Sequence, residues 1–465
     1  MRLSQLSMSN FRKFADLSID FDEHITVLVG TNGAGKTAVL DAAAVALSAF
    51  LTKFPDVSGA ALHRSDARRV RYKSAPGIYD HQELFPVTIQ ARGSVLRNDE
   101  FDAEAHLGGL VPTFPKPISW GRSLRQSKGK MTVADARPMI DVSDACQQAV
   151  REGEQLLLLP MLGYYGTDRL WPRDRAQWRT HSDEYLQAGN RFGGYDGCLN
   201  SSVSYKQMAS WFKKMTVEEH RQQKLIPSFQ AVRRTVAHCL ELLTGNAEAR
   251  IDYADGGLLV SYTTSDGLSV ADEPFESLSD GYRVMVGMVA DIARRMATLN
   301  PALGDRAVLE TPGVVLIDEV DLHLHPLWQR QVVETLLALF PQVQFIVTTH
   351  APMVISSVHR NQVRQLSCDT VTGQARAVTP NYETYGQPAS DTLDTVQEAD
   401  SLPLPVRRLV DAFADAFDAD NYQEARECLR RLGDLVGEEN SEFAAAQTAL
   451  RFMQDDVDDS TNPTE

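Results

Sequence analysis

Gly30-Thr31-Asn32-Gly33-Ala34-Gly35-Lys36-Thr37 is the stretch whose reading decides the fold. It fills the pattern G-x-x-x-x-G-K-T, and its surroundings supply the context that pattern needs. Ile25–Val29 before it is an unbroken, partly β-branched apolar run, the signature of a central parallel strand. Thr37–Leu51 after it is rich in Ala, Leu and Val and predicts a buried helix starting where the loop ends. Glycines let successive backbone N–H groups converge on phosphate oxygens, with Gly30, Asn32, Gly33 and Gly35 in the cradle. Lys36 then reaches the β- and γ-phosphates and the Thr37 hydroxyl a Mg²⁺ ion, so ATP with Mg²⁺ is the expected cofactor set.

Three further strings follow in fixed order. Val314–Ile317 predicts a second buried strand, ending in Asp318-Glu319. Asp318 is placed to hold Mg²⁺ through water, and Glu319 to orient and deprotonate an attacking water. Phe345–Val347 predicts a third strand ending in Thr348-Thr349-His350, which puts His350 beside the γ-phosphate and its water. Leu278-Ser279-Asp280-Gly281-Tyr282-Arg283 opens a helix, with Ser279 as its N-terminal cap and Gly281 permitting close approach of a phosphate.

Bulk properties bound the rest. With 465 residues, the chain has room for two to four domains. No apolar run approaches the ~18 residues of a membrane span, and no secretory signal is visible, so a cytoplasmic protein without a membrane partner is expected. Five scattered cysteines without a C-x-x-C pair predict neither disulfides nor zinc. The net charge of −16 argues against a bulk electrostatic grip on nucleic acid. That charge is uneven: residues 400–465 hold 6 Lys+Arg and 16 Asp+Glu, a net of −10, leaving −6 for the rest. Basic stretches at Arg64–Lys73 and Lys116–Lys130 leave DNA open as a partner.

Along the chain, four segments are expected: 1–54, the start of the ATPase core; 55–265, a β lobe with a helical insert; 266–395, the remainder of the core; and 396–465, a helical module with an acidic disordered tail. Leu17, Ile19 and Phe21 alternate as a half-buried strand does, and Arg250–Tyr253 with Leu258–Tyr262 predicts a hairpin. Val406 to Phe417, Ala425 to Val436 and Phe443 to Met453 carry three helical apolar stripes. His323-x-His325 reads either as part of a contact loop or as a metal pair, and Pro326 suits the first turn of the helix that follows.

In this order, P-loop, L-S-x-G, paired acids and histidine, the chain resembles the ABC-type ATPase heads of SMC and RecF-like proteins. The fold implied is an α/β P-loop NTPase head with an antiparallel β lobe, a helical insert and a C-terminal helical module. The resemblance also implies a head-to-head homodimer, or a higher oligomer, in which Ser279 and Gly281 of one chain cap the ATP of another. It implies that Arg12 touches the γ-phosphate in cis, and that Asp321 communicates between nucleotides. Asn10-Phe11-Arg12, Ala290-Asp291-Ile292-Ala293-Arg294-Arg295 and Asp318 through Pro326 look like bacterial stand-alone ATPases described as predicted ATP-binding proteins involved in virulence. That group holds the ATPases of Septu and some retron anti-phage systems. Departures are Asp280 and Tyr282 within the signature, and a glutamine loop for which Gln90 is the nearest candidate.

Two functions compete. One is an ATP-hydrolysing regulatory subunit of an anti-phage system, controlling an HNH-type nuclease or other effector in trans, docked on the C-terminal helices. The 115 residues after His350 are too few for the nuclease domain that related OLD-family proteins carry there. The alternative is a RecF-like repair ATPase whose ATP-closed dimer clamps DNA. A transporter ATPase is disfavoured by the roughly 240 residues between P-loop and signature.

Overall fold

The computed structural model describes residues 1–55, 57–75, 78–95, 117–167, 190–200, 205–245, 248–264, 266–369, 372–389, 391–392, 402–419 and 421–459. Ile25–Val29 is buried at every position, because it lies inside a six-stranded sheet. The sheet order is Ala375–Val378, Val363–Cys368, Ile25–Val29, Val343–Thr348, Gly313–Ile317 and Met161–Tyr165, parallel except for its first pair. The P-loop strand, the histidine strand and the acidic strand are therefore neighbours. Their C-terminal ends lie along one edge, where ligands bind in parallel α/β sheets. Helix Lys36–Leu51 follows the P-loop and is buried at 14 of its 16 residues, consistent with its almost purely apolar sequence.

A four-stranded antiparallel sheet, ordered Phe14–Asp20, Arg2–Phe11, Val87–Ser94 and Ile118–Leu124, packs on that helix; Trp120 Nε1 donates to the Ala46 carbonyl at 2.9 Å. Here Leu17 and Ile19 turn inward, as their alternation predicts. Helix Arg137–Arg151 lies in the β-lobe segment, where Pro and Gly breaks among strand-like pieces make the sequence hard to read. Its buried face, Met139, Ile140, Val142, Cys146 and Ala149, has helical spacing that the flanking breaks obscured. Helices Tyr205–Gln222 and Pro227–Thr244 meet through Trp211, Phe212 and Phe229, with ring centroids 5.4–5.5 Å apart.

The expected hairpin is the pair Arg250–Ala254 and Gly257–Thr263, extended by Ser269–Pro274 into a three-stranded sheet. The expected boundary at 265/266 falls inside that sheet, because register between Thr263 and Ser269 holds the two sides together. Contacts divide the chain into Met1–Thr392 and Leu393–Glu465. The second unit contains helices Leu404–Asp418, Tyr422–Val436 and Ser441–Asp459, closed around Val406, Leu432 and Phe443 and around Phe413, Ala425 and Leu450. Its last helix runs through Asp459, past the expected acidic end at Asp455, and residues 460–465 lie outside the described residues.

Candidate functional site

The P-loop conformation follows from its glycines. Gly30 (φ +148°) turns the chain out of the strand where a Cβ would meet the Leu366 carbonyl at 2.5 Å. Gly35 (φ +101°) sits at the helix N-cap, and a Cβ there would enter the Phe14 ring. Lys36 is buried, with Nζ donating to the carbonyls of Gly30 (2.9 Å) and Thr31 (3.4 Å). Burial lowers its pKa, against the opposing pull of Asp318, Glu319 and Asp321. The side chain is thus folded back over its own loop, the place a phosphate takes in a P-loop. Asn32 and Gly33 are exposed on the outer turn, and the Gly33 carbonyl accepts from Lys13.

Strand ends complete the cluster. Asp318, only 5% exposed, accepts from Thr37 Oγ1 through Oδ2 (2.8 Å) and from Thr348 Oγ1 through Oδ1 (2.6 Å). Thr348 Oγ1 in turn accepts from the Glu319 N–H at 2.7 Å. Glu319 adopts φ +48°, which bends the chain away from the strand direction just past Asp318. The Thr349 hydroxyl donates to Asp321, and His350 follows at the same edge. Burial lowers the His350 pKa and the Lys36 charge adds to this, so the imidazole is held neutral at physiological pH. A hydroxyl and a carboxylate converging at 2.8 Å are hard oxygen donors of the kind Mg²⁺ takes.

The signature residues pack elsewhere. Ser279 occupies the N-cap of helix Asp280–Leu299, but its side chain makes no capping bond; its carbonyl accepts from the Arg283 N–H at 2.9 Å. A Cβ on Gly281 would meet the His323 carbonyl at 2.9 Å and the Trp328 ring at 3.0 Å, so this helix start lies against the loop after Glu319. His325 Nδ1 accepts from the Leu327 N–H at 3.4 Å and caps helix Pro326–Leu339, and no cluster of three or more metal-binding side chains occurs among the described residues. Gln90 stands exposed in the antiparallel sheet, in register with Ser7 and Gly121.

Arg12 (φ +52°) is held by Asp66 at 3.0 Å and by Asp41, one turn into the P-loop helix. Burial opposes its charge, but Asp41 and Asp66 outweigh this and raise its pKa. Tyr164 Oη donates to the other oxygen of Asp41 at 2.8 Å. Sequence reasoning missed Lys13, Asp41 and Tyr164. Asp41 stands four residues past Thr37, on the same helix face, which was the available signal.

Residues 5–226 match the family described as "AAA domain", and residues 234–356 match "AAA domain, putative AbiEii toxin, Type IV TA system". The chain is 22% identical over 453 residues to the Retron Vc95 probable ATPase of Vibrio cholerae serotype O1 biovar El Tor, covering 87% of this chain and 80% of that one. It is 27% identical over 165 residues to the Septu protein PtuA of Bacillus thuringiensis, covering 35% and 41%. Among solved structures, an SMC head bound to the C-terminal winged-helix domain of ScpA is similar at 16% identity and a TM-score of 0.45, over 81% of this chain and 98% of that one. The P-loop site and the two AAA-domain matches mark this chain as an α/β P-loop ATPase. Its relatives include retron and Septu ATPases, and the reaction is ATP hydrolysis. Among the described residues, no helix is long and apolar enough to cross a membrane.

Proposed function

We propose that this chain is the ATPase subunit of an anti-phage system, in which an ATP-sandwich dimer controls a nuclease supplied by another chain. The observation that carries the site assignment is the convergence of Thr37 and Thr348 on Asp318, with Glu319 held one residue beyond. The P-loop N–H groups and Lys36 bind the β- and γ-phosphates, while Thr37 and Asp318 hold Mg²⁺. When bound, Mg²⁺ supplies positive charge to the β- and γ-phosphate oxygens. Glu319 accepts a proton from water as its oxygen attacks the γ-phosphorus. The bond to the β-phosphate oxygen breaks, releasing ADP and phosphate. Neutral His350 positions that water and the γ-phosphate.

Ser279, exposed at the start of its helix, and Gly281 serve the nucleotide of a second protomer. The nuclease is of the HNH type, and the acidic C-terminal helices are its docking surface. Homology to the retron and Septu ATPases supports the defence role. The test uses Glu319→Gln in sedimentation velocity with Mg²⁺ and ATP. A monomer-to-dimer shift is expected, and a mass unchanged by ATP would refute the sandwich. Co-purification with the product of the neighbouring gene, lost on deleting 396–465, tests the docking role.

A further inference from the structure

The string Ala290-Asp291-Ile292-Ala293-Arg294-Arg295 lies mid-helix, about 18 Å from Ser279 at the usual rise, and takes no part in the chemistry above. Its three charged side chains are nonetheless buried: Asp291 is 3% exposed and Arg294 and Arg295 are 5% each. Asp291 Oδ1 accepts from Arg294 Nη2 at 2.5 Å. Its Oδ2 accepts from Arg295 Nε at 2.7 Å and from Tyr165 Oη at 2.9 Å. Arg295 Nη1 also donates to the carbonyls of Gly194 (2.9 Å) and Asp196 (2.7 Å). Burial raises the Tyr165 pKa, and Asp291 adds to this, so the phenol stays a donor.

Tyr165 is what makes this network informative. It ends the edge strand, in register with Ile317, and its carbonyl accepts the Asp318 N–H at 2.8 Å. One residue thus hydrogen-bonds the backbone of the acid at the phosphate edge with its main chain, and the signature helix with its side chain. Among the described residues two arginines face this one carboxylate, and Arg294 Nε has no hydrogen-bond partner there. Buried ion networks contribute little net stability relative to apolar packing of the same volume. What they do impose is a fixed register, because any slide of the helix breaks several charged bonds at once.

We propose that Tyr165, Asp291 and Arg295 are positioning residues. They tie the signature helix to the end of the acidic strand, so that one chain's nucleotide site sets where its Ser279 and Gly281 are presented to the partner's nucleotide. This rests on the shared-site reading given above. Tyr165→Phe removes one hydroxyl and leaves the ring packing, and mixed oligomers from two differently tagged full chains locate its effect. In each mixture one chain carries Lys36→Ala, so a single P-loop works, capped by the signature of the Lys36→Ala chain.

With Tyr165→Phe placed in the Lys36→Ala chain, kcat is expected to fall about tenfold relative to Lys36→Ala alone, with KM for ATP within about twofold. With Tyr165→Phe placed in the chain that supplies the working P-loop, the rate should hold. Equal losses in the two arrangements, or none in either, would overturn the proposal. Asp291→Asn, measured the same way, should repeat the asymmetry. Ser279→Arg in the Lys36→Ala chain separates the two readings. Full activity there sinks the shared site itself, whereas loss there without a Tyr165→Phe effect sinks only the network.

Discussion

Charge is used in opposite ways in the two units of this chain. In Met1–Thr392 the functional charged and hydroxyl groups are joined across long sequence distances: Thr37 to Asp318, Arg12 to Asp66, Tyr165 to Asp291. In Leu393–Glu465 the ion pairs among described residues are local, Arg407 with Asp411 and Arg430 with Glu427 and Asp434, all on exposed helix faces. The first pattern fixes where strands and helices stand relative to one another. The second only decorates helices whose cohesion comes from Leu432, Phe443 and Ala425. Charge placement in the core is therefore a matter of geometry, and in the C-terminal unit of local pairing on exposed helix faces.

If that contrast is right, substitutions should sort by unit as well as by residue type. The largest loss is expected for Lys36→Ala, which should abolish ATP binding in a fluorescent-nucleotide titration; tight binding would overturn the site assignment. Next comes Glu319→Gln, which should lower kcat by about 10²-fold or more while nucleotide still binds, since removing a general base leaves the phosphate contacts in place. His350 sharpens the comparison through pH. Its pKa is lowered, so it stays neutral at and somewhat below the ordinary histidine value and becomes cationic only in more acidic solution. The rate should fall along that acid limb, and His350→Gln should remove the limb from the pH–rate profile.

In the C-terminal unit, Leu432→Ala should cost about 2–4 kcal/mol of that unit's stability in chemical denaturation while the ATPase rate stays unchanged. Smallest of all, Arg430→Ala should leave the melting temperature and the ATPase rate where they were, because Arg430 is an exposed helix residue that, among the described residues, pairs with its own turn neighbours Glu427 and Asp434. A marked loss of activity on Arg430→Ala would dissolve the contrast between the units.

Much of this was legible in the sequence. Unbroken apolar runs ending in Gly30, Asp318 and Thr348 mark central parallel strands, and such strands place their C-terminal ends at one edge. Other features were hidden for reasons of chemistry and distance. Helix Arg137–Arg151 lay between breaks that obscured its period, and the sheet joining Thr263 to Ser269 depends on a register the sequence does not display. Lys13, Asp41 and Tyr164 look like ordinary surface or core residues until the P-loop folds beside them.

The sequence by itself determined the nucleotide chemistry, because a phosphate cradle needs a contiguous glycine loop and lysine, and contiguity is what a sequence records. Only the tertiary structure decided which distant groups stand within hydrogen-bond reach: Thr348 on Asp318, Arg12 between Asp41 and Asp66, and Tyr165 between the acidic strand and the signature helix. Those pairings follow from sheet order and helix packing, which no local run of residues encodes.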